Sequence, residues 1–432
     1  MSMKVLYRFL WAITTVTVTT APAGVAIAQE PARAIALREH LATALAKQDA
    51  VAIHKAVAGV NHHLGKKVGV PEAPDKYLPI PQHGKWLTVD KVAPGFERLF
   101  RRIEQLRWWR VGLDPTKLVH PLREPAAVVS GSLAAWRAKT KGADHGLRLA
   151  REAGDFLIWA QERGGTGVFP FPASRGVSQA APFVAAERLL KQAEQAGRLD
   201  AIVRNGWVID DDGDGGLQFD NGECGVAILE LYESTKDTKY LDAARKSADW
   251  ALSRPLVGNW NYNSFSVHLL TRAYRVTGDV KYLEGALKKA FFGVIPGQLT
   301  QGPYAGRWND PHNARPSYHY IMLRSLAELT AALPHDDAAR PEVLAALRLG
   351  LKARNSDFLD QGAPNIESAM EVLVIVHRVF ANDVEFLQET LSSDALDALA
   401  KLVSEQSGRG SASLGPRGWG RFLEFVVWKG GR

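Results

Sequence analysis

Eight consecutive residues, Asn313-Ala314-Arg315-Pro316-Ser317-Tyr318-His319-Tyr320, hold the densest set of groups able to do chemistry in this chain. Tyr318 and His319 are Brønsted bases. Asn313 and Arg315 are donors that neutralise a carboxylate and stabilise an enolate. Together these types suit removal of a proton beside a carboxylate, with Tyr318 or His319 as the base. The simpler alternative is a helix cap at Asn313 and a satisfied core histidine. Tyr262 and His268 form a second group, six residues apart, so whether they meet depends on the turn between them. His268 sits in an apolar stretch that suits a core residue, whereas Tyr262 falls in a loop.

Carboxylates are the rival constellation. Asp220, Glu223, Asp310 and Glu367 all lie in loops that lead into apolar segments. Two of them across a cleft serve as acid and base of a hydrolysis. Asp220-x-x-Glu223 is also the pattern of a capping box, and Glu367 suits a helix dipole. Asp210, Asp212 and Asp214, followed by Gly215, match positions 1, 3, 5 and 6 of a calcium loop, but position 12 is Asn221 rather than a bidentate glutamate. That leaves a solvated acidic turn as the simpler reading, calcium as an option, and no other cofactor. His62-His63 has no partners at metal-ligand spacing. Cys224 stands alone, which excludes an internal disulfide and suits a small buried residue. No phosphate-binding glycine loop, serine elbow or His-Glu-x-x-His motif is present.

The elements that position these groups repeat. Thr235-Lys236-Asp237-Thr238-Lys239-Tyr240-Leu241 is answered 42 residues later by Thr277-Gly278-Asp279-Val280-Lys281-Tyr282-Leu283. Repetition at this period marks stacked supersecondary units sharing one core. The helical segments are of two kinds. Val226–Tyr232 and Ile366–Phe380 are apolar nearly all round, as befits helices buried on most sides. Tyr240–Leu252, Tyr282–Phe291 and Pro341–Ala353 are apolar on one face only. Such alternation predicts an all-α ring of hairpins, an (α/α) barrel or toroid, with an inner ring sheathed by an outer one. Strand character is confined to pieces around Trp207–Ile209 and Phe422–Trp428. The loops entering the inner helices are rich in aromatics and Asn: 217–223, 258–264 with Trp260 and Asn261, 306–313 with Trp308, and 362–367. They meet at one end of a ring of parallel inner helices, where helix N-termini favour anionic ligands.

The N-terminus reads as a secretory signal: Lys4 and Arg8, a short apolar segment from Phe9 to Val18, and Ala26-Ile27-Ala28 as the cleavage site. The expected organisation is a signal peptide over 1–28 and one toroid domain over 29–432, with 65–94 an irregular connection. Losing Lys4 and Arg8 takes the formal net charge from +7 to +5. The remaining charge is scattered, without the basic stripe of a nucleic-acid binder. No later segment is long and apolar enough to span a membrane. A monomeric protein exported to the periplasm or beyond is expected.

The hairpin repeat, the Gly167-Val168-Phe169-Pro170 loop and the Trp/Asn/Tyr/His loops make residues 144–380 resemble the six-hairpin (α/α) toroid enzymes that act on polysaccharides. Asn259 to His268 is similar to a loop-helix motif of uronyl C5-epimerases, and the Asn/Arg/Tyr/His content of 313–320 to that of toroidal uronate lyases. The resemblance implies an enzyme that binds a polysaccharide or oligosaccharide. β-Elimination on a uronate-bearing chain is favoured. Tyr318, His319, Asn313, Arg315, Asp310 and Tyr262 would then be catalytic, and Trp260, Trp308, Asn261, Asp220, Glu223 and His268 would hold substrate. A glycoside hydrolase pairing Asp220 or Glu223 with Asp310, and a non-catalytic glycan-binding envelope protein, stand as alternatives.

Overall fold

The computed structural model describes residues 77–430 apart from 106–108, 110–117, 119, 140–141, 174, 177–178, 180, 205–206, 209–214, 309–311 and 409–413. The expected signal segment, His62-His63, Asp210, Asp212, Asp214 and Asp310 lie outside the described residues.

The described chain is helical. In order it forms α1 (Val89–Gln105), α2 (Arg123–Arg137), α3 (Ala143–Gly164), β1 (Phe171–Pro172), α4 (Ala181–Gln195), α5 (Leu199–Ile202), β2 (Val203–Arg204), β3 (Trp207–Val208), α6 (Leu217–Thr235), α7 (Thr238–Ser253), α8 (Trp260–Thr277), α9 (Val280–Gly293), α10 (Pro316–Ala332), α11 (Arg340–Gln361), α12 (Ile366–Val379), α13 (Val384–Glu389), α14 (Ser392–Gly408) and α15 (Pro416–Gly430). Helices α2, α6, α8, α10, α12 and α15 each pack on the next, and α15 returns to α2, which closes a ring of six. Helices α3, α7, α9, α11 and α14 sheathe α2, α6, α8, α10 and α12, and α1 covers α15. The all-α toroid with inner and outer rings is therefore the fold.

The sequence kinds explain the two layers. The α6 run Cys224 to Leu231 is buried without a break, because neighbours surround it. Helix α7 buries Tyr240, Ala243, Ala244, Ala248 and Ala251 along one stripe. The two repeat turns superpose bond for bond. Lys236 and Gly278 are both left-handed, and each amide donates to a tyrosine carbonyl, Tyr232 or Tyr274, at 2.7 Å. Asp237 and Asp279 then cap the next helix through Lys239 N and Lys281 N, both at 3.2 Å. The Tyr240 and Tyr282 hydroxyls donate to Asp155 and Asp249 of the preceding outer helices at 2.9 and 3.0 Å. One hairpin thus registers itself on the one before it.

Ring closure depends on glycine. A Cβ at Gly131 of α2 would stand 2.1 Å from the Pro416 carbonyl oxygen, and one at Gly420 of α15 would stand 2.9 Å from the Gly131 Cα. The two backbones touch at the seam.

Two expectations need correction. Phe422–Trp428 is helical, not extended: it lies in α15, where Phe422, Phe425 and Val426 are buried at helical spacing. The irregular connection ends at Val89 rather than at 94. Helix α1 starts on the Thr88 carbonyl, which accepts from Lys91 N and Val92 N at 3.0 Å, and Pro94 is accommodated in its second turn. The strand expected at Trp207 is present as β3, the middle of a three-stranded antiparallel sheet ordered β1-β3-β2 between α3 and α6.

Candidate active site at the N-terminal mouth of the ring

The inner helices run parallel, because an outer helix separates each from the next. Ion pairs confirm the alignment. Early residues meet early residues: Arg417 of α15 reaches Glu223 of α6. Late residues meet late ones: Glu328 of α10 takes Arg272 of α8 at 3.5 Å and Arg378 of α12 at 2.7 Å. All six helix N-termini therefore share one end.

Charge fills the bore of the ring. Helices α6 and α12 stand on opposite sides, yet one guanidinium joins them: Arg324 donates to Glu223 Oε1 and to Glu371 Oε2, both at 2.7 Å. Arg417 binds the other Glu223 oxygen and stands 4.0 Å from Glu371. One level deeper, Arg421 bonds Glu230 at 2.8 Å. Charges this deep persist only when paired. Burial pushes the Glu230 carboxyl up, but Arg421, Arg137 and Arg272 outweigh it and hold it well below the carboxylate range. Glu328, likewise buried, is brought down to about 2 by Arg272 and Arg378.

Above this plug the mouth is differently made. Asp220, one turn before Glu223, is 4% exposed, and its Oδ1 receives no hydrogen bond from the described residues. Arg123, the first residue of α2, is the nearest cation among the described residues, at 3.8 Å, with its side chain 22% exposed. Burial raises the Asp220 carboxyl, and Arg123 opposes it. The Arg123 guanidinium lies 4.3 Å over the half-buried Phe219, which stacks on Phe265 at 4.2 Å. Across the ring, Glu367 stands one turn before Glu371. Its carboxylate accepts from Gly418 N at 2.9 Å, at the start of α15. Burial, with Glu371 adding to it, raises Glu367 too. The mouth therefore carries two carboxyls whose hold on a proton burial strengthens, and the partly exposed guanidinium of Arg123. That combination serves proton transfer to a bound anion.

Helix α6 begins at Leu217, so Asp220 is its fourth residue and no Asp220–Glu223 capping box forms. Cys224 is buried, and burial together with Asp220 pushes its thiol well up, which keeps it an inert core residue.

Several residues expected at the site are interior. Trp260 is fully buried, so close to Gly297 that a Cβ there would stand 2.5 Å from its ring. Trp308 is fully buried, with Nε1 donating to Val294 O at 2.8 Å. Neither ring face is available to a sugar, and the stacking role assigned to them does not fit this geometry. His319 is fully buried between α10 and α11, with Nε2 2.9 Å from Gly350 O, and burial drives its pKa well down. Asn313 Oδ1 accepts from Asn261 N at 3.0 Å and from Asn261 Nδ2 at 2.9 Å, so both asparagines pin the loop before α10 to the start of α8. His268 is 4% exposed in the bore, where burial and Arg324 keep it neutral. Tyr262, Arg315 and Tyr318 remain partly accessible at the mouth end, with Tyr318 stacked on His312 at 4.3 Å.

Arg123, Arg324, Arg417 and Glu371 escaped the reading of the sequence. A signal was present: Glu371 interrupts the otherwise apolar run Ala369–Val376, and Arg324 stands in the mainly apolar run Met322–Leu329, which also carries Glu328.

No family model and no curated protein matches the chain. Its fold is similar to that of the polysaccharide lyase BACCELL_00875, with a TM-score of 0.50 and 16% identity over 80% of this chain and 99% of that one. It is also similar to a glycosyl hydrolase family 88 protein from Bacteroides vulgatus, with a TM-score of 0.50 and 13% identity over 79% of this chain and 98% of that one. Both likenesses are of fold.

Proposed function

We propose that this chain is an exported carbohydrate-active enzyme that cleaves a uronate-bearing glycan at the N-terminal mouth of its ring, with Asp220 as proton donor and Arg123 as partner for the substrate carboxylate. The observation that carries the reading is the buried Asp220 Oδ1, left without a hydrogen bond among the described residues and 3.8 Å from the partly exposed Arg123. A buried carboxyl whose hold on a proton burial strengthens suits a general acid for a glycosidic oxygen. Glu367, on the opposite inner helix, is the second carboxyl, and its ionised form activates water. The two similar folds belong to proteins named as a polysaccharide lyase and a glycosyl hydrolase, which agrees with glycan as substrate. No helix among the described residues is long and apolar enough to cross a membrane. In this reading residues 1–28 direct export and the monomer is the working unit.

Elimination is the second reading, supported by the partial accessibility of Tyr318 beside His312. Tyr318 would then remove the proton next to the uronate carboxylate. The two chemistries separate in one experiment. Purified enzyme is incubated with uronate-bearing and neutral polysaccharides, and products are read for new reducing ends and for the far-ultraviolet absorbance of unsaturated sugars. Hydrolysis gives reducing ends alone, elimination gives both, and the absence of either product on every uronate glycan overturns the proposal.

A further inference from the structure

The pairing of Arg123 with Asp220 has a consequence for how the acid acquires its proton, and it rests on the function just proposed. Among the described residues, Asp220 has a narrow set of charged neighbours. From α2 it faces Arg123 at 3.8 Å. On its own helix it has Cys224 one turn on, and Glu223, which is itself taken by Arg324 and Arg417. From α8 it has the apolar Phe265 stacked on Phe219, with His268 deeper in the bore. Arg123 is thus the cation that favours the ionised form of Asp220 in a site where burial favours the neutral acid. The same guanidinium is the more exposed member of the pair and lies 4.3 Å over the Phe219 ring, where a sugar carboxylate can take it in bidentate fashion.

We infer that Arg123 couples recognition to proton loading: the anionic group of the substrate takes its guanidinium, Asp220 loses its counter-charge, and one proton enters Asp220 from solvent as the substrate binds. That proton is the one later given to the leaving oxygen. An acidic sugar thereby arms the acid, and a neutral sugar of the same shape leaves it ionised. Arg123 is a positioning and specificity residue in this scheme.

The test uses the full chain with 13C-labelled aspartate carboxyls, the Asp220 signal being identified by its loss in Asp220→Asn. Its titration is followed by NMR alone, with D-glucuronate, and with D-glucose, in the natural protein and in Arg123→Gln. Glucuronate is expected to move the Asp220 midpoint up by about one pH unit, a shift typical of losing one neighbouring opposite charge. Glucose is expected to leave it in place. Arg123→Gln should start at the raised midpoint and respond to neither sugar. The inference is overturned if glucuronate leaves the natural Asp220 midpoint unmoved, or if it shifts Arg123→Gln equally. A protein that turns over uronate glycans without this shift keeps the proposed function and loses the coupling. A protein that shows the shift but turns over no glycan loses the function alone.

Discussion

Glu223 and Glu371 rise from opposite helices of the ring yet close on one guanidinium, that of Arg324, at 2.7 Å each. The bore is therefore sealed by charge rather than by hydrocarbon. Deleting the shared cation leaves two buried carboxylates facing each other. Arg324→Gln should cost about 3–5 kcal/mol, the scale of a broken buried pair. Denaturant unfolding monitored by circular dichroism reads this directly. A loss below about 1 kcal/mol would show the bore to be solvated.

The late level of the ring sets an acid limit. Glu328 is held down to about 2, against an ordinary value of 4.5, by Arg272 and Arg378 despite burial. Because the folded value is the lower one, its stabilisation is complete above the unfolded range and drains as pH falls toward 2. Asp220 has the opposite sign: its folded value is raised, so its ionisation erodes stability as pH rises past 3.8. Glu328→Gln should flatten the acid side of a stability profile. Asp220→Asn should gain on the natural protein as pH rises. Melting temperatures from pH 3 to 8 check both slopes.

The twin tyrosines offer a test of modularity. Tyr240 and Tyr282 each donate one hydroxyl to the outer helix before their own. Tyr240→Phe and Tyr282→Phe should each cost about 1 kcal/mol. The double variant should cost their sum to within about 0.5 kcal/mol, since the pairs share no partner. A larger or smaller double effect means that the hairpins communicate through the stack.

These hairpins were legible in the sequence because their information is local. The turn Thr-x-Asp and the tyrosine three residues later sit within one window, and the contrast between apolar α6 and one-sided α7 shows as periodicity. The site was less so. Trp260, Trp308, His319, Asn261 and Asn313 are residue types that bind sugars, and their spacing in loops is the same whether a ring turns outward or inward. The close backbone at Gly297 and the carbonyl of Val294 decide that they turn in. Arg123 and Asp220 are 97 residues apart and meet only through the packing of α2 on α6, which no local pattern encodes. Asp220 itself stood out in the sequence. What did not was its environment, a buried oxygen 3.8 Å from the partly exposed Arg123.

The seam between the last and first inner helices should be intolerant of even one methyl group. At Gly131 a Cβ meets the Pro416 carbonyl at 2.1 Å, a backbone atom that cannot rotate aside. Gly131→Ala should destabilise by about 1–3 kcal/mol, the range of overpacking, whereas Gly430→Ala, with nothing near, should be neutral. Equal effects of the two in thermal unfolding would mean that the ring is open at this seam.

The most direct test of the account is the turnover of uronate-bearing polysaccharide by the natural protein and by Asp220→Asn at equal concentration, with circular dichroism as the control for folding. The account expects product from the natural protein and a loss of about 100-fold or more in the variant, with the fold retained. A folded Asp220→Asn that works at the natural rate, or a natural protein that cleaves only neutral glycans, would contradict it.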